Sequence, residues 1–160
     1  MEFIKMQIGT NTKGHPPSTK FWMIVALSCA PVLAQADHEL DNRDLIRGEA
    51  LYQSYCAACH GVELQGQDNW QTPDENGVLR APPHDASGHT WHHDNQLLFD
   101  STALGGAAAL AERGVSGINS GMPGFAESLT EDEIWDTLAF IRSTWPKRIQ
   151  DIHASRNPQH

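Results

Sequence analysis

The chain has 160 residues, a length that supports one domain and leaves little room for two. Hydrophobic residues make up 39% and charged residues 19%, which excludes a disordered chain and a membrane bundle. The formal net charge is −9, and no basic stripe offers itself to nucleic acid.

Residues 1–20 are polar and carry Lys5, Lys13 and Lys20; residues 21–34 are apolar; Ala34-Gln35-Ala36 is a small-residue cleavage pattern before Asp37. The expectation is an export signal over 1–36 and a mature chain of 37–160. The apolar run of about 14 residues is interrupted by Pro31 and falls short of the ~20 that a membrane span needs. An uncleaved anchor helix is the alternative. Lipid attachment at Cys29 fits poorly, since Ala26-Leu27-Ser28 precede it, and the long polar start also suits initiation at Met6. Residues 37–160 keep 8 basic and 19 acidic residues, a formal charge of −11. Such acidity either steers the protein to a basic docking patch on a partner or simply maintains solubility.

Residues 37–42 are polar and could cap a helix over 43–56, where Leu45, Ile46, Ala50, Leu51 and Tyr55 recur at helical spacing. Gly48 costs that helix about 1 kcal/mol against alanine, and an internal glycine often marks close contact with another helix. The helix runs into Cys56-Ala57-Ala58-Cys59-His60, a C-x-x-C-H pattern, and Cys56 and Cys59 are the two cysteines of 37–160. This pattern reads as c-type haem attachment. Two thiols on one helical turn can each add to a haem vinyl group, and His60 follows beneath the ring to bind iron. Chance gives such a pattern in roughly 0.003 chains of this composition, so the signal is specific. A zinc site would want about four Cys or His ligands, and a thioredoxin-like pair would sit beside a βαβ pattern. A structural disulfide is open outside the cytosol but leaves His60 unexplained.

Residues 61–93 read as loop, rich in Gly, Pro, Asn and Asp; a loop this long in a small domain calls for a function, and wrapping a haem edge is one. His84, His89, His92 and His93 fall within it. Each could bind iron, or together they could bind copper or zinc; singly, each is more often a surface or hydrogen-bonding histidine. Trp91 could donate to a haem propionate or anchor the loop. A short helix is expected over 94–104, with Asp94 as N-cap and Gly105-Gly106 as stop. Residues 105–125 read as a Gly-rich loop delivering Met122, the one methionine of 37–160, between Gly121 and Pro123. A rigid loop presenting a thioether suits an axial iron ligand; a core gap-filler is the alternative. The last helix carries a Thr130-x-x-Glu133 capping box, with Leu129 and Ile134 as a staple. Ile134, Leu138 and Ile141 form its apolar stripe, with Trp135 and Phe140 beside it. Pro146 ends it, and 147–160 reads as a polar, frayed tail. There is no alternating strand pattern and no internal repeat.

Together these residues resemble the class I monohaem c-type cytochrome family, over roughly 43–146. The anchors are Cys56, Cys59, His60, Gly121-Met122-Pro123, and the run from Ile134-Trp135-Asp136 to Phe140-Ile141. The resemblance implies an all-α domain over 37–146, a few helices and long loops wrapped around one haem c bound through two thioethers. It implies crossing first and last helices, with Gly48 near Phe140. It implies His60 and Met122 as axial ligands, and the carbonyl of Pro82, or next of Pro83, as acceptor for His60; small bacterial members share the Ala81-Pro82-Pro83 run. Covalent haem attachment in bacteria takes place outside the cytoplasm, so the protein would be exported, and periplasmic in a Gram-negative cell. Two features depart from the family: a longer stretch between His60 and Pro82, and the Gly88-His89-Thr90-Trp91-His92-His93 segment. The function implied is single-electron transfer without catalysis, between oxidoreductases that dock transiently. The alternatives are a haem enzyme or gas sensor with an open sixth iron site, a metal-handling protein using residues 84–93, or a permanent subunit of a larger oxidoreductase.

Overall fold

In the computed structural model, which describes residues 39–157 besides Gly9 and Gly14, the first described helix starts at Leu45. The expected leader lies outside the described residues. Asp44 caps helix α1 (Leu45–Leu51), its carboxylate accepting from the Arg47 N–H at 3.0 Å. The cap is therefore Asp44 and not the 37–42 stretch. The helix continues through one widened π turn (Tyr52–Cys56) into α2 (Ala57–His60). Such π turns recur at functional sites, because the extra residue per turn re-aims the side chains beyond it. Here those side chains are the C-x-x-C-H residues.

The Asp94 cap on α3 (Asn95–Leu104) is present, with the Leu97 N–H donating to it at 2.7 Å. Gly105-Gly106 ends α3 at Leu104 as expected, but the stretch that follows is not all loop. Gly105, at φ +92°, turns the chain, and α4 (Gly106–Glu112) starts at once. Its Ala-Ala-Ala-Leu-Ala core consists of strong helix formers, which outweigh the glycine signal. Helix α5 (Glu131–Ser143) carries the expected reciprocal capping box. The Thr130 N–H donates to Glu133 at 2.9 Å, and the Glu133 N–H donates to Thr130 Oγ1 at 3.3 Å. Leu129 and Ile134, the staple pair, are both buried.

The expected frayed tail is a helix, α6 (Lys147–Ala154), packed on the domain. His153 within it is fully buried and meets Trp145 edge to face at 5.1 Å. Asn157 Oδ1 accepts from the Asn95 N–H at 2.6 Å. Pro146 separates α5 from α6, since proline suits the start of a new helix as well as the end of an old one.

Packing centres on the crossing of α1 with α5. A Cβ on Gly48 would lie 2.1 Å from the Asp136 carbonyl oxygen and 3.0 Å from Phe140 Cβ, so only glycine allows this approach. Beside it, Arg47 Nε donates to the buried Asp136 carboxylate at 2.5 Å. Tyr52, Ile134, Leu138, Ile141 and Trp145 fill the core around the crossing. Strands are absent among the described residues; Leu79 and Ser120 form one isolated parallel bridge. The architecture is all-α, and no described helix is long and apolar enough to cross a membrane.

Candidate haem-binding site

A cavity of about 930 Å³ opens beside the α1–α5 crossing. That is the upper end of the range for cofactor pockets. Cys56, Cys59, His60, Pro82 and Met122 all line it, so the five residues singled out in the sequence meet at one place. Its apolar walls are Leu97 and Leu98 from α3, Phe125 beyond the methionine, and Leu138 and Ile141 from α5.

Cys56 and Cys59 are one helical turn apart, the first half-buried and the second exposed. Burial pushes the Cys56 thiol up to about 11, with Cys59 adding to the shift. His60 is buried at the end of α2, held there by Tyr52 Oη donating to the Gly61 carbonyl at 2.8 Å. Its Nδ1 lies 2.8 Å from the Pro82 carbonyl oxygen. A carbonyl only accepts, so Nδ1 carries the proton and Nε2 keeps its lone pair for a metal. Burial lowers the affinity of His60 for a second proton, against a smaller opposing effect of the Pro82 bond. The ring therefore stays neutral, the form that ligates.

Met122 is half-buried in a loop fixed from two sides. On one side the Gly106 N–H donates to the Met122 carbonyl at 3.2 Å, and the Phe125 N–H donates to Thr102 O at 2.9 Å. A Cβ at Gly105 would sit 2.9 Å from the Met122 carbonyl oxygen, so the loop packs directly on the α3–α4 junction. On the other side the Leu79 N–H donates to Asn119 O at 2.8 Å, tying the methionine loop to the loop that follows His60.

That loop is ordered by its own bonds: Gly66 N–H to His60 O at 2.7 Å, Gln67 N–H to Ala81 O at 2.9 Å, His84 N–H to Leu64 O at 2.8 Å. Its four histidines do not converge. His84 stacks on His60; His89 stacks on Trp70 at 5.0 Å and meets His93 edge-on at 5.1 Å. His92 is exposed and lies against Trp91. Among the described residues no three His, Cys, Asp or Glu side chains are placed to hold a metal ion. Trp91 packs against the hydrophobic core as a loop anchor. Trp70, which the sequence reading passed over, is the tryptophan that lines the cavity. A tryptophan in a Gly/Pro-rich loop was the available signal.

Two thiols one turn apart, a neutral imidazole with a free Nε2, a thioether and apolar walls around one cavity suit a haem c. This combination defines a haem c electron-transfer module. The chain belongs to the cytochrome c family, whose model matches residues 45–145. A curated relative is the thiosulfate dehydrogenase of Allochromatium vinosum, 30% identical over 101 residues, covering 61% of this chain and 30% of that protein. The chain thus spans less than a third of the relative's length. No solved structure matches it significantly.

Proposed function

We propose that the protein is an exported single-electron carrier, holding one haem c through thioethers to Cys56 and Cys59 with His60 and Met122 as axial ligands. The observation that carries this reading is His60, buried in the cavity that Met122 also lines, with its Nδ1 committed to Pro82. The haem, once bound, supplies a one-electron iron couple. The chain's own residues do the rest. Cys56 and Cys59 fix the ring to α2. Pro82 orients the imidazole and raises its basicity, and the Met122 thioether, as the second ligand, would favour the ferrous state. With His60 and Met122 both holding the iron, no position would remain there for substrate, which supports electron transfer without catalysis. The leader-like pattern over 1–36 supports export, and the charge of −11 on 37–160 suits a partner oxidoreductase with a basic docking patch.

A second reading rests on the likeness to part of a thiosulfate dehydrogenase: the module would then be a fixed cytochrome subunit of a larger oxidoreductase.

The test is the visible spectrum of protein matured in a host that attaches haem c. The expected result is a low-spin reduced spectrum, a far-red ferric thioether band and no response to carbon monoxide. Met122→Ala should abolish that band, admit carbon monoxide and lower the potential. A band that survives this substitution refutes the ligand assignment.

A further inference from the structure

The loop after α2 reaches His60 twice. Pro82 meets its edge, and two residues on His84 covers its face. The His84 and His60 rings stand 3.9 Å apart at centroid with an interplanar angle of 20°. We propose that His84 is a positioning residue: resting on the reading of His60 as iron ligand, its ring fixes the plane of the His60 imidazole and keeps water from that side of the iron.

Several independent contacts hold His84 itself. Its N–H donates to Leu64 O at 2.8 Å. Its carbonyl accepts from Nε1 of the buried Trp145 at 2.7 Å. Its Nδ1 lies 2.9 Å from Thr90 Oγ1, and that hydroxyl donates to Pro83 O at 3.3 Å. The hydroxyl proton is thus committed, so His84 Nδ1 is the donor to Thr90 Oγ1. Tyr52 closes the arrangement edge-on at 6.2 Å. Space-filling alone would need none of this, because a leucine fills such a site without the desolvation cost of a polar ring. The bond to Pro82 constrains the His60 ring at one edge and leaves it free to rock about that edge. A planar partner against its face removes that freedom. Imidazole orientation governs overlap with the metal, and a partner that orients a ligand tunes the centre.

The sign follows from charge. Removing the His84 ring lets water approach the iron, which favours the more positive ferric form. His84→Ala should therefore shift the ferric/ferrous equilibrium at least threefold toward ferric, which for a one-electron couple is about 28 mV downward. It should also broaden the g-values of the low-spin ferric resonance. His84→Phe restores the planar face and should return both readouts toward wild type. Thr90→Val keeps the ring but releases it, and should broaden the resonance with a smaller shift. If His84→Ala lowers only the melting temperature, leaving g-values and equilibrium at wild-type values, the ring merely packs and the proposal fails. If His84→Ala does not mature, His84→Leu against His84→Phe decides, and equal potentials and g-values in those two overturn it. A wild-type protein without the low-spin His/Met spectrum would sink the reading of His60 as ligand instead, whatever the variants do.

Discussion

The α1–α5 crossing makes a prediction opposite in sign to helix propensity. Gly48→Ala in an unconstrained helix should stabilise by about 1 kcal/mol. Here the new Cβ would stand 2.1 Å from the Asp136 carbonyl oxygen, 2.7 Å from its carbonyl carbon and 3.0 Å from Phe140 Cβ. The first two contacts are backbone, so no side-chain rotation relieves them. The helices must separate by more than an ångström to restore ordinary contact. Overpacking of this kind costs about 1–3 kcal/mol, and the rigid partner argues for the upper end. Subtracting the propensity gain leaves a net loss of about 2 kcal/mol, or roughly 8 °C in melting temperature for a domain of this size. Ala50→Gly, on the exposed side of the same helix, is the control and should cost about 1 kcal/mol from propensity alone. Thermal melts followed by far-ultraviolet circular dichroism decide the matter. A Gly48→Ala protein that melts at or above wild type refutes the close-approach argument.

Ending the chain at Pro146 removes the buried His153 and the bond from the Asn95 N–H to Asn157, and should cost about 2 kcal/mol, read as a melting shift of roughly 8 °C. An unchanged melt would return 147–160 to the frayed tail of the sequence reading. His89 and His93 are both held below histidine's ordinary value, first by burial and then by a neighbouring histidine, His92 for the former and His89 for the latter. The unfolded chain then takes up protons before the folded one, so stability is complete above the ordinary value of 6.5 and declines as pH falls through it toward the lower folded values. His89→Gln with His93→Gln should flatten that part of the stability–pH profile; an unaltered slope shows that these rings do not contribute.

What the sequence revealed were the features written in short spacings. The C-x-x-C-H turn, the Thr130–Glu133 box, the Asp94 cap and the Gly48 contact each depend on residues within about one turn, or on one residue type with one physical use. Local breaker signals misled where context outweighed them. Gly105-Gly106 does stop α3, yet the loop expected behind it is broken by the alanine run, which starts a new helix. Pro146 reads as a terminator, yet Ile149, Ile152 and His153 behind it recur at helical spacing, and His153 is the most deeply buried histidine among the described residues. The His84–His60 stack lies beyond any spacing rule. It joins residues 24 positions apart through the path of a loop, and that path is set by contacts with Leu64 and Trp145.

Helix α5 turns three faces to three neighbours, and its rotation decides what the cavity meets. Asp136 and Phe140 face Gly48; Thr137, Leu138 and Ile141 line the cavity; Trp135 stacks on Phe99 of α3 at 4.6 Å. Each residue of slip rotates a helix by about 100°. A slip in one direction puts Asp136 into the cavity wall, and in the other Arg142. The apolar stripe alone discriminates weakly among such registers, because Leu138, Ala139, Phe140 and Ile141 are consecutive. The Asp136 carboxylate, accepting from Arg47 Nε and from the Asp44 N–H at 3.3 Å, identifies one rotation and no other. Only the carboxylate of this pair is buried, Arg47 being half exposed; desolvation of Asp136 offsets much of the attraction, so the pair adds little net stability and serves to specify register. The double variant Arg47→Met with Asp136→Leu should therefore melt no lower than wild type while its low-spin ferric resonance broadens, as α5 and the wall it carries take more than one setting. A resonance as narrow as wild type would mean that Gly48 and the apolar stripe fix the register unaided.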